Sequence, residues 1–354
     1  MNQQQSLPPS ATHARLLAEL QELARARGLA AAMRALFRQQ VEAGFVLFDP
    51  AAADALVERR FAAEGALPPL RLQWNPQREL RLDPQLLIER GVIAADVDQS
   101  LLVHRDERGR GCFLCRHNIA LQAPAEAIYP LELAGEPYFL GCNFAPITDN
   151  HFTVIVEQHR PQRYHAGILR AGFALAVATE GQFRVLYNDR AGASILGHEH
   201  QHATDVRLPL EAVPAAPLLH QGAGLRIAQP TYYLPVWLVE GERLEAVLQA
   251  GDRLIQAWLQ LDPVHHSLNL LQSYDPAPGT FRLYVVPRDR RRLTAPGRQA
   301  AMGSFETAGL VVFSHPEERA LFDTVDAASA PQLLASIAPA LPPAQALERA
   351  MLDF

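Results

Sequence analysis

The chain contains no lysine, and all 32 of its basic residues are arginine. This absence excludes enzyme classes whose chemistry depends on a lysine side chain, including P-loop nucleotidases, protein kinases, Schiff-base enzymes and lysine-adenylate ligases. Any chemistry on a phosphate group must therefore use histidine, arginine, backbone amides or a metal ion.

Cysteine is also scarce, with three residues in a chain of 354. An odd count, two of them standing as Cys112-x-x-Cys115, argues against the disulfide framework of a small secreted domain. The segment MNQQQSLPPS at the start lacks the pattern of a signal peptide. No run of about 18 apolar residues predicts a membrane span. We therefore expect a cytoplasmic protein that does not associate with membranes.

The net charge is −6 at pH 7, and hydrophobic residues make up 49% of the chain. The mildly acidic balance argues against a broad nucleic-acid-binding surface. The length and the apolar content suffice for one large domain or two ordinary ones with a buried core.

Apolar residues at three- and four-residue spacing predict helices over residues 12–40, divided at Gly28, and over residues 244–261. Short apolar or alternating runs predict strands. The predicted strands include residues 70–74, 79–82, 129–133, 182–189, 267–273, 281–287 and 305–314.

The most informative stretch, NDRAGASILGHEHQH, places His198, His200 and His202 at strict alternation. Alternate side chains of a β-strand share one face, so the three imidazoles are predicted to point the same way. Such a face suits metal ligation, or nucleophilic and acid–base chemistry on a phosphate. Gly192 and Ser194, just upstream, belong to a small-residue loop whose backbone N–H groups can approach an anion closely.

The central imidazole, His200, is the candidate nucleophile. An unprotonated imidazole nitrogen can attack phosphorus and carry a nucleotidyl group as a phosphoramidate. Glu199 and Gln201 are predicted to face away from the histidines, either in solvent or in hydrogen bonds across strands.

The pair Cys112 and Cys115 has three interpretations. It offers two thiolates to a tetrahedral zinc ion, it forms a redox pair, or it consists of two structural cysteines. Zinc requires two more ligands, for which His159 and His198 are the candidates. We favour zinc over the redox interpretation, because the pair does not begin a thioredoxin-like βα unit.

A basic cluster follows the predicted strand 281–287, and it consists of Arg288, Arg290, Arg291 and Arg292. These arginines either reach a substrate phosphate or form a solvated turn, and we favour the turn. His151 is expected in the core or in a loop.

Four segments, CFLCRHN, CNFAPITDNHFTVIVEQHRPQ, YNDRAGAS and HEHQH, resemble in this order the histidine-triad superfamily, in its galactose-1-phosphate uridylyltransferase-like branch. The chain is most similar there to GDP-hexose phosphorylases and diadenosine tetraphosphate phosphorylases. Weaker similarity continues in FRLYVVPRDR and SFETAG, so the resemblance covers roughly residues 110–315.

The resemblance implies an α+β fold of two histidine-triad-like halves, each an antiparallel sheet with packed helices. It implies an N-terminal helical and extended region over residues 1–110 and a catalytic half over residues 111–205. The second half, with a C-terminal tail, spans residues 206–354. We expect these parts to form one composite domain.

The resemblance also implies roles for single residues. His200 matches the nucleotidylated histidine, and His202 matches the third position of the triad. Residues matching nucleotide or phosphate contacts are Asn143, which touches the ribose, and Asn188, Gly192 and Ser194. Residues matching a structural zinc site are Cys112, Cys115, His159 and His198.

The implied activity is nucleotidyl transfer of the phosphorylase type, with a nucleoside diphosphate sugar or a dinucleoside polyphosphate as donor and phosphate or a sugar phosphate as acceptor. Two departures leave the acceptor open. Glu199 and Gln201 stand where the superfamily usually has apolar residues, and His202 stands where transferases usually have glutamine and hydrolases histidine. The alternatives are a hydrolase and a non-catalytic nucleotide-binding regulatory protein. A homodimer is one candidate oligomeric state.

Overall fold

The computed structural model describes residues 11–47, 56–61, 67–82, 84–105, 109–222 and 224–340. In these residues the helices are Ala11–Arg27 (α1), Leu29–Glu42 (α2), Pro84–Glu89 (α3), Arg116–Gln122 (α4), Ala166–Ala178 (α5), Leu244–Leu261 (α6), Ser304–Thr307 (α7), Arg319–Thr324 (α8) and Ala330–Ala335 (α9). Short 3-10 helices span Pro76–Leu82, Gln99–Leu101, Pro209–Ala212 and Pro316–Glu318.

The strands of the same residues are Val57–Phe61 (β1), Leu70–Trp74 (β2), Tyr129–Leu133 (β3), Glu136–Cys142 (β4), Phe152–Val156 (β5), Arg184–Asn188 (β6), His200–Thr204 (β7), Leu218–Gly222 (β8), Leu225–Ala228 (β9), Trp237–Gly241 (β10), His266–Asp275 (β11), Thr280–Asp289 (β12) and Leu310–Phe313 (β13). The mixture of helices with antiparallel sheets confirms the predicted α+β fold class.

The chain divides into two compact units. Unit 1 takes its described residues from the ranges 1–49, 77–162 and 195–205, and unit 2 from the ranges 50–76, 163–194 and 206–354. The domain boundaries expected from the sequence stay a prediction.

Unit 1 contains an antiparallel run of strands in the order β3-β4-β5-β7. All five residues of β5, FTVIV, are buried, as expected for an apolar run that is covered on both faces. The register sets Ile155 opposite His200 and Thr153 opposite His202. The buried strand therefore fixes the position of the histidine strand beside it.

Helices α1 and α2 also belong to unit 1, and they are separated by Gly28 with φ of 84°. That left-handed backbone favours glycine and interrupts the helical hydrogen bonds. The division of residues 12–40 at Gly28 is thus confirmed.

Unit 2 contains antiparallel strands in the order β6-β11-β12-β10-β9-β8. Helix α6 buries Val247, Leu254 and Trp258 at helical spacing in the core of this unit. Gly251 allows α6 to lie close to β12, because a Cβ atom there would come within 2.3 Å of a Leu283 methyl group. A second sheet has the order β1-β2-β13, with β13 parallel to β2.

Two predicted strands are wrong. Residues 79–82 belong to the 3-10 helix Pro76–Leu82, which begins where proline fixes φ near the helical value. Residues 305–314 divide into α7 and β13, because Gly309 has φ of 97° and ends the helix.

No helix in the described ranges is long and apolar enough to cross a bilayer.

Candidate active site and metal site

The histidine strand is shorter than the sequence predicts. Strand β7 begins at His200, and His198 lies in a bend before it. The bend forms because the Glu199 N–H donates to the carbonyl of Arg160 at 2.8 Å. The prediction of three histidines on one strand is therefore wrong for His198. It holds for His200 and His202, whose ring centroids lie 5.4 Å apart.

The hydrogen bonds of His200 define its tautomer. Its Nδ1 lies 2.8 Å from the carbonyl oxygen of His198, which can only accept, so Nδ1 carries the proton. The neutral ring then has an unprotonated Nε2. Burial lowers the pKa of His200 to about 4, so the ring is neutral near pH 7 and Nε2 can act as a nucleophile.

Gln162 holds the backbone of His200 from both sides. Its Oε1 accepts from the His200 N–H at 2.8 Å, and its Nε2 donates to the His200 carbonyl at 2.9 Å. Gln162 is buried. The sequence gives no signal for this role, because the two residues are 38 positions apart.

A second hydrogen-bond chain ends at His202. The backbone N–H of Ile147 donates to Nδ1 of His151 at 3.1 Å, so a neutral His151 carries its proton on Nε2. That nitrogen lies 3.2 Å from Nδ1 of His202. His202 therefore accepts at Nδ1 and carries its own proton on Nε2, which makes that atom a donor.

His151 and His202 both stay neutral at pH 7. Burial lowers the pKa of His151 well below its ordinary value, and the charge of His202 adds to the effect. Burial likewise lowers the pKa of His202, with a contribution from His200. Arg78, at the 3-10 helix Pro76–Leu82, lowers both pKa values further.

Glu199 is buried and forms an ion pair with Arg160. The Arg160 guanidinium donates to both of its carboxylate oxygens at 2.7 and 2.8 Å, and also binds Glu136. The hydrogen bond with Glu199 is the main reason that the pKa of Arg160 is raised. The expectation of a solvated Glu199 is therefore wrong, and its partner Arg160 lies in the loop after β5 rather than on a neighbouring strand.

The four candidate metal ligands lie together in unit 1. The ligand atoms of Cys112, Cys115, His159 and His198 are all within 4.8 Å of one another. The Sγ atoms of Cys112 and Cys115 lie 3.5 and 3.6 Å from Nδ1 of His198. The Sγ atom of Cys115 lies 3.2 Å from Nδ1 of His159. This group of side chains could hold a metal ion.

The donor set fits zinc. Tetrahedral zinc with two sulfur and two nitrogen ligands has ligand–ligand distances of about 3.3–3.8 Å. The three sulfur–nitrogen distances given above, 3.2, 3.5 and 3.6 Å, are close to this range. Nε2 of His198 donates to the Val156 carbonyl at 2.8 Å, which leaves the Nδ1 lone pair facing the two sulfur atoms. His104 stacks on His159 with ring centroids 3.9 Å apart.

The two thiols differ in acidity. A hydrogen bond from Cys115 lowers the pKa of Cys112 to about 4. The same hydrogen bond is the main reason that the pKa of Cys115 is raised. A bound metal ion would favour the thiolate form of both residues, since thiolates are the ligating form.

The residues expected to contact nucleotide are divided between the units. Asn143 lies in unit 1, where its N–H donates to the His151 carbonyl at 2.9 Å and its Oδ1 accepts from Ala145 at 3.2 Å. Asn188, Gly192 and Ser194 lie in unit 2. The backbone hydrogen bond to His151 places Asn143 next to the hydrogen-bonded pair His151 and His202.

In unit 2, Asn188 is oriented by two donors. Its Oδ1 accepts from Nδ2 of Asn269 at 2.8 Å and from the N–H of Ser304 at 2.7 Å. Its Nδ2 is therefore the donor end of the amide. Gly192 has φ of 90°, and a Cβ atom there would come within 2.5 Å of the Gly303 Cα atom. Ser194 is exposed.

The basic cluster after β12 contains two kinds of arginine. Arg290, Arg291 and Arg292 are exposed, as expected for a turn. Arg288 is fully buried, so the interpretation as a solvated turn is wrong for this residue. The sequence shows four similar arginines, and only the packing of β12 distinguishes them.

Comparison with known families gives one partial match. A family model described as a domain of unknown function (DUF4922) matches residues 68–205. This range includes the Cys/His group, His200 and His202. No curated protein matches the chain.

The fold is similar to crystal structures of yeast Ap4A phosphorylase Apa2. The complex with AMP shares 15% identity at a TM-score of 0.57, covering 87% of this chain and 96% of that one. The complex with Ap4A shares 14% identity at a TM-score of 0.56, covering 87% of this chain and 97% of that one. At 14–15% identity, this similarity shows that this chain and the yeast protein share a fold.

Proposed function

We propose that this protein is a nucleotidyltransferase of the phosphorylase type that works through a covalent nucleotidyl-His200 intermediate. The observation that carries the proposal is the tautomer of His200. Its Nδ1–H is bound to the His198 carbonyl at 2.8 Å, and burial lowers its pKa to about 4. A nucleophilic nitrogen is therefore available near pH 7 without a separate base.

The first half-reaction forms a nitrogen–phosphorus bond. Nε2 of His200 attacks the α-phosphorus of the donor, and the phosphoanhydride P–O bond breaks. A sugar phosphate or a nucleotide leaves with the electron pair of that bond. The Nε2–H of His202 donates a hydrogen bond to an oxygen of the transferring phosphoryl group, and it stabilises charge that develops there.

The second half-reaction restores the enzyme. An oxygen of the acceptor attacks the α-phosphorus, and the nitrogen–phosphorus bond breaks with its electron pair returning to Nε2. With inorganic phosphate as acceptor the product is a nucleoside diphosphate. The backbone hydrogen bonds from Gln162 to His200 keep the ring in place through both steps.

The donor that we propose is a nucleoside diphosphate sugar or a dinucleoside polyphosphate. The fold supports a nucleotide substrate, since the similar yeast protein is named as an Ap4A phosphorylase and its structures contain AMP or Ap4A. Asn143, Asn188, Gly192 and Ser194 are the proposed contacts with the nucleotide.

The second candidate function is hydrolysis with water as acceptor. It is favoured by one observation, the donor Nε2–H of His202, which follows from the hydrogen bond between His151 and His202 at 3.2 Å. A histidine in this position can protonate a leaving oxygen, which glutamine cannot do.

The Cys/His group is proposed as a structural zinc site. Cys112, Cys115, His159 and His198 would supply two thiolates and two imidazole nitrogens. A zinc ion there would cross-link the segment before α4, the loop after β5 and the bend before β7. No chemical step passes through it.

The test is product chromatography with GDP-, UDP- and ADP-sugars and dinucleoside polyphosphates, each with and without phosphate. Wild type is compared with His200→Ala, His202→Gln and, as a matched histidine control in β8 of unit 2, His220→Ala. We expect a nucleoside diphosphate that forms only with phosphate, and a loss of about 10³-fold or more in His200→Ala. A monophosphate formed without phosphate, and lost in His202→Gln, would show the hydrolase instead.

A labelled donor without acceptor gives an independent readout. The nucleotidyl group should become attached to wild type and to His220→Ala, and not to His200→Ala. The attachment should be labile in acid, as expected for a phosphoramidate. Full turnover by His200→Ala would contradict the proposal.

A further inference from the structure

Arg288 is a fully buried cation whose hydrogen-bond partners are all neutral. It lies in β12, and its Nη1 donates to Oδ1 of Asn269 and, at 2.7 Å, to the carbonyl of Met302. Its Nη2 lies 3.5 Å from the carbonyl of Arg292. Among the described residues, no carboxylate forms an ion pair with Arg288.

Such an arrangement is costly for the fold. A buried charge is normally paired with an opposite charge, because removal from water penalises the charged form. Burial lowers the pKa of Arg288 to about 10, and the negative charge of Glu306 partly opposes this shift. The side chain is still charged at pH 7, and its Nε–H has no acceptor in the described part of the chain.

Asn269 connects this cation to the predicted phosphate contacts. Its Oδ1 accepts from Arg288, while its Nδ2 donates to Oδ1 of Asn188 and to the carbonyl of Ala191, both at 2.8 Å. We call residues 188–194 the phosphate loop. Arg288 is therefore two hydrogen bonds away from Asn188.

The arrangement also sets the direction of the Asn188 amide. Asn269 donates its N–H to Asn188 and keeps its own oxygen for Arg288, so the order of donors and acceptors is fixed. Asn188 then has Nδ2 as its donor end, and a donor is the group that an anionic ligand requires. The positive charge of Arg288 acts in the same direction, and the buried surroundings screen it little.

We propose that Arg288 is a positioning residue that attracts the phosphate groups of a nucleotide to the phosphate loop and, through Asn269, orients Asn188 toward them. The inference rests on the proposed function, because it takes residues 188–194 as phosphate contacts. Arg288 itself does not touch the ligand. A purely structural role, in which Arg288 only ties Met302 to β12, is the alternative.

The two roles differ in how they depend on the ligand's charge. Binding of AMP, GMP and UMP, and of the matching nucleosides, is measured by calorimetry for wild type, Arg288→Met, Arg288→Lys and the control Arg290→Met. Arg290 is an exposed neighbour in the same basic cluster. In Arg288→Met, the monophosphate that wild type binds should bind on the order of tenfold more weakly. Its nucleoside should stay within about twofold.

Arg288→Lys keeps the charge and should retain most of the monophosphate affinity, and Arg290→Met should match wild type. Equal losses for nucleoside and monophosphate in Arg288→Met would show the structural role and overturn the inference. If wild type binds no nucleotide, the proposed function and this inference both fail. If wild type binds nucleotide but Arg288→Met loses nucleoside and monophosphate affinity equally, only this inference fails.

Glu306→Gln keeps the inference testable if Arg288→Met does not fold. Glu306 Oε2 accepts from the Gly303 N–H at 2.8 Å, and the glutamine oxygen can accept the same hydrogen bond. Removal of its negative charge strengthens the field of Arg288, so the monophosphate should bind severalfold more tightly and the nucleoside unchanged. An unchanged or weaker affinity for the monophosphate would overturn the inference.

Discussion

Glu199 lies in the sequence between His198, a candidate metal ligand, and His200, the candidate nucleophile, and its side chain is 1% exposed. The partner, Arg160, is 22% exposed and binds Glu136 on its other side. Glu199→Gln keeps the shape of the side chain and removes one charge of the buried pair. Removing one partner of a fully buried ion pair costs about 3–5 kcal/mol.

The expected cost here is smaller, because Arg160 is partly exposed and keeps Glu136. We expect Glu199→Gln to lower the free energy of local opening of unit 1 by about 2 kcal/mol. The matched control is Glu136→Gln. Glu136 binds the same arginine but is 37% exposed, so its removal should cost about 0.5 kcal/mol.

Tryptophan fluorescence does not report on this unit, since Trp74, Trp237 and Trp258 all lie in unit 2. Hydrogen exchange followed by mass spectrometry reports on the local opening of unit 1. Amides in the peptide that contains β7 should exchange about 30-fold faster in Glu199→Gln than in wild type, and about twofold faster in Glu136→Gln. Equal exchange in the two variants would refute the argument that burial makes the Glu199 pair the stronger one.

Two further predictions concern pH and metal. The pKa values of His151 and His202 are lowered in the folded state, so the unfolded state binds more protons. Stability should therefore fall as the pH drops below about 6.5, by up to about 1.4 kcal/mol per pH unit for each histidine. Circular dichroism should show a shallower slope for His151→Asn, and a flat wild-type profile from pH 7 to 5 would contradict this. Elemental analysis should find about one zinc per chain in wild type and in Cys142→Ser but not in Cys115→Ser. Equal zinc in all three would exclude the site.

Much of the fold follows from local patterns. The helical spacing of apolar residues predicts α6 with its observed bounds, and Gly28 marks the break between α1 and α2. Strands β2 and β3 also have the predicted bounds. Errors occur where the pattern is short. Residues 79–82 alternate like a strand yet belong to a 3-10 helix. A strand forms only when it pairs with another strand, and the pattern of four residues does not determine whether such a strand lies beside them.

The residue types of the metal site are visible in the sequence. The spacing of Cys112 and Cys115 and the nearby histidines predict which side chains form the group, and the fold brings their ligand atoms within 4.8 Å. The histidine alternation likewise predicts His200 and His202 on one strand face.

Only the tertiary structure decides the chemical state of these groups. The tautomer of His200 depends on the bend that presents the His198 carbonyl to its Nδ1, and the tautomer of His202 depends on His151, which is 51 residues away. The burial of Arg288 beside Asn269 distinguishes it from three exposed arginines of the same cluster. The sequence by itself determined which side chains are present and their local spacing. Their protons, orientations and charges depend on hydrogen-bond partners and burial that arise only when distant segments pack together.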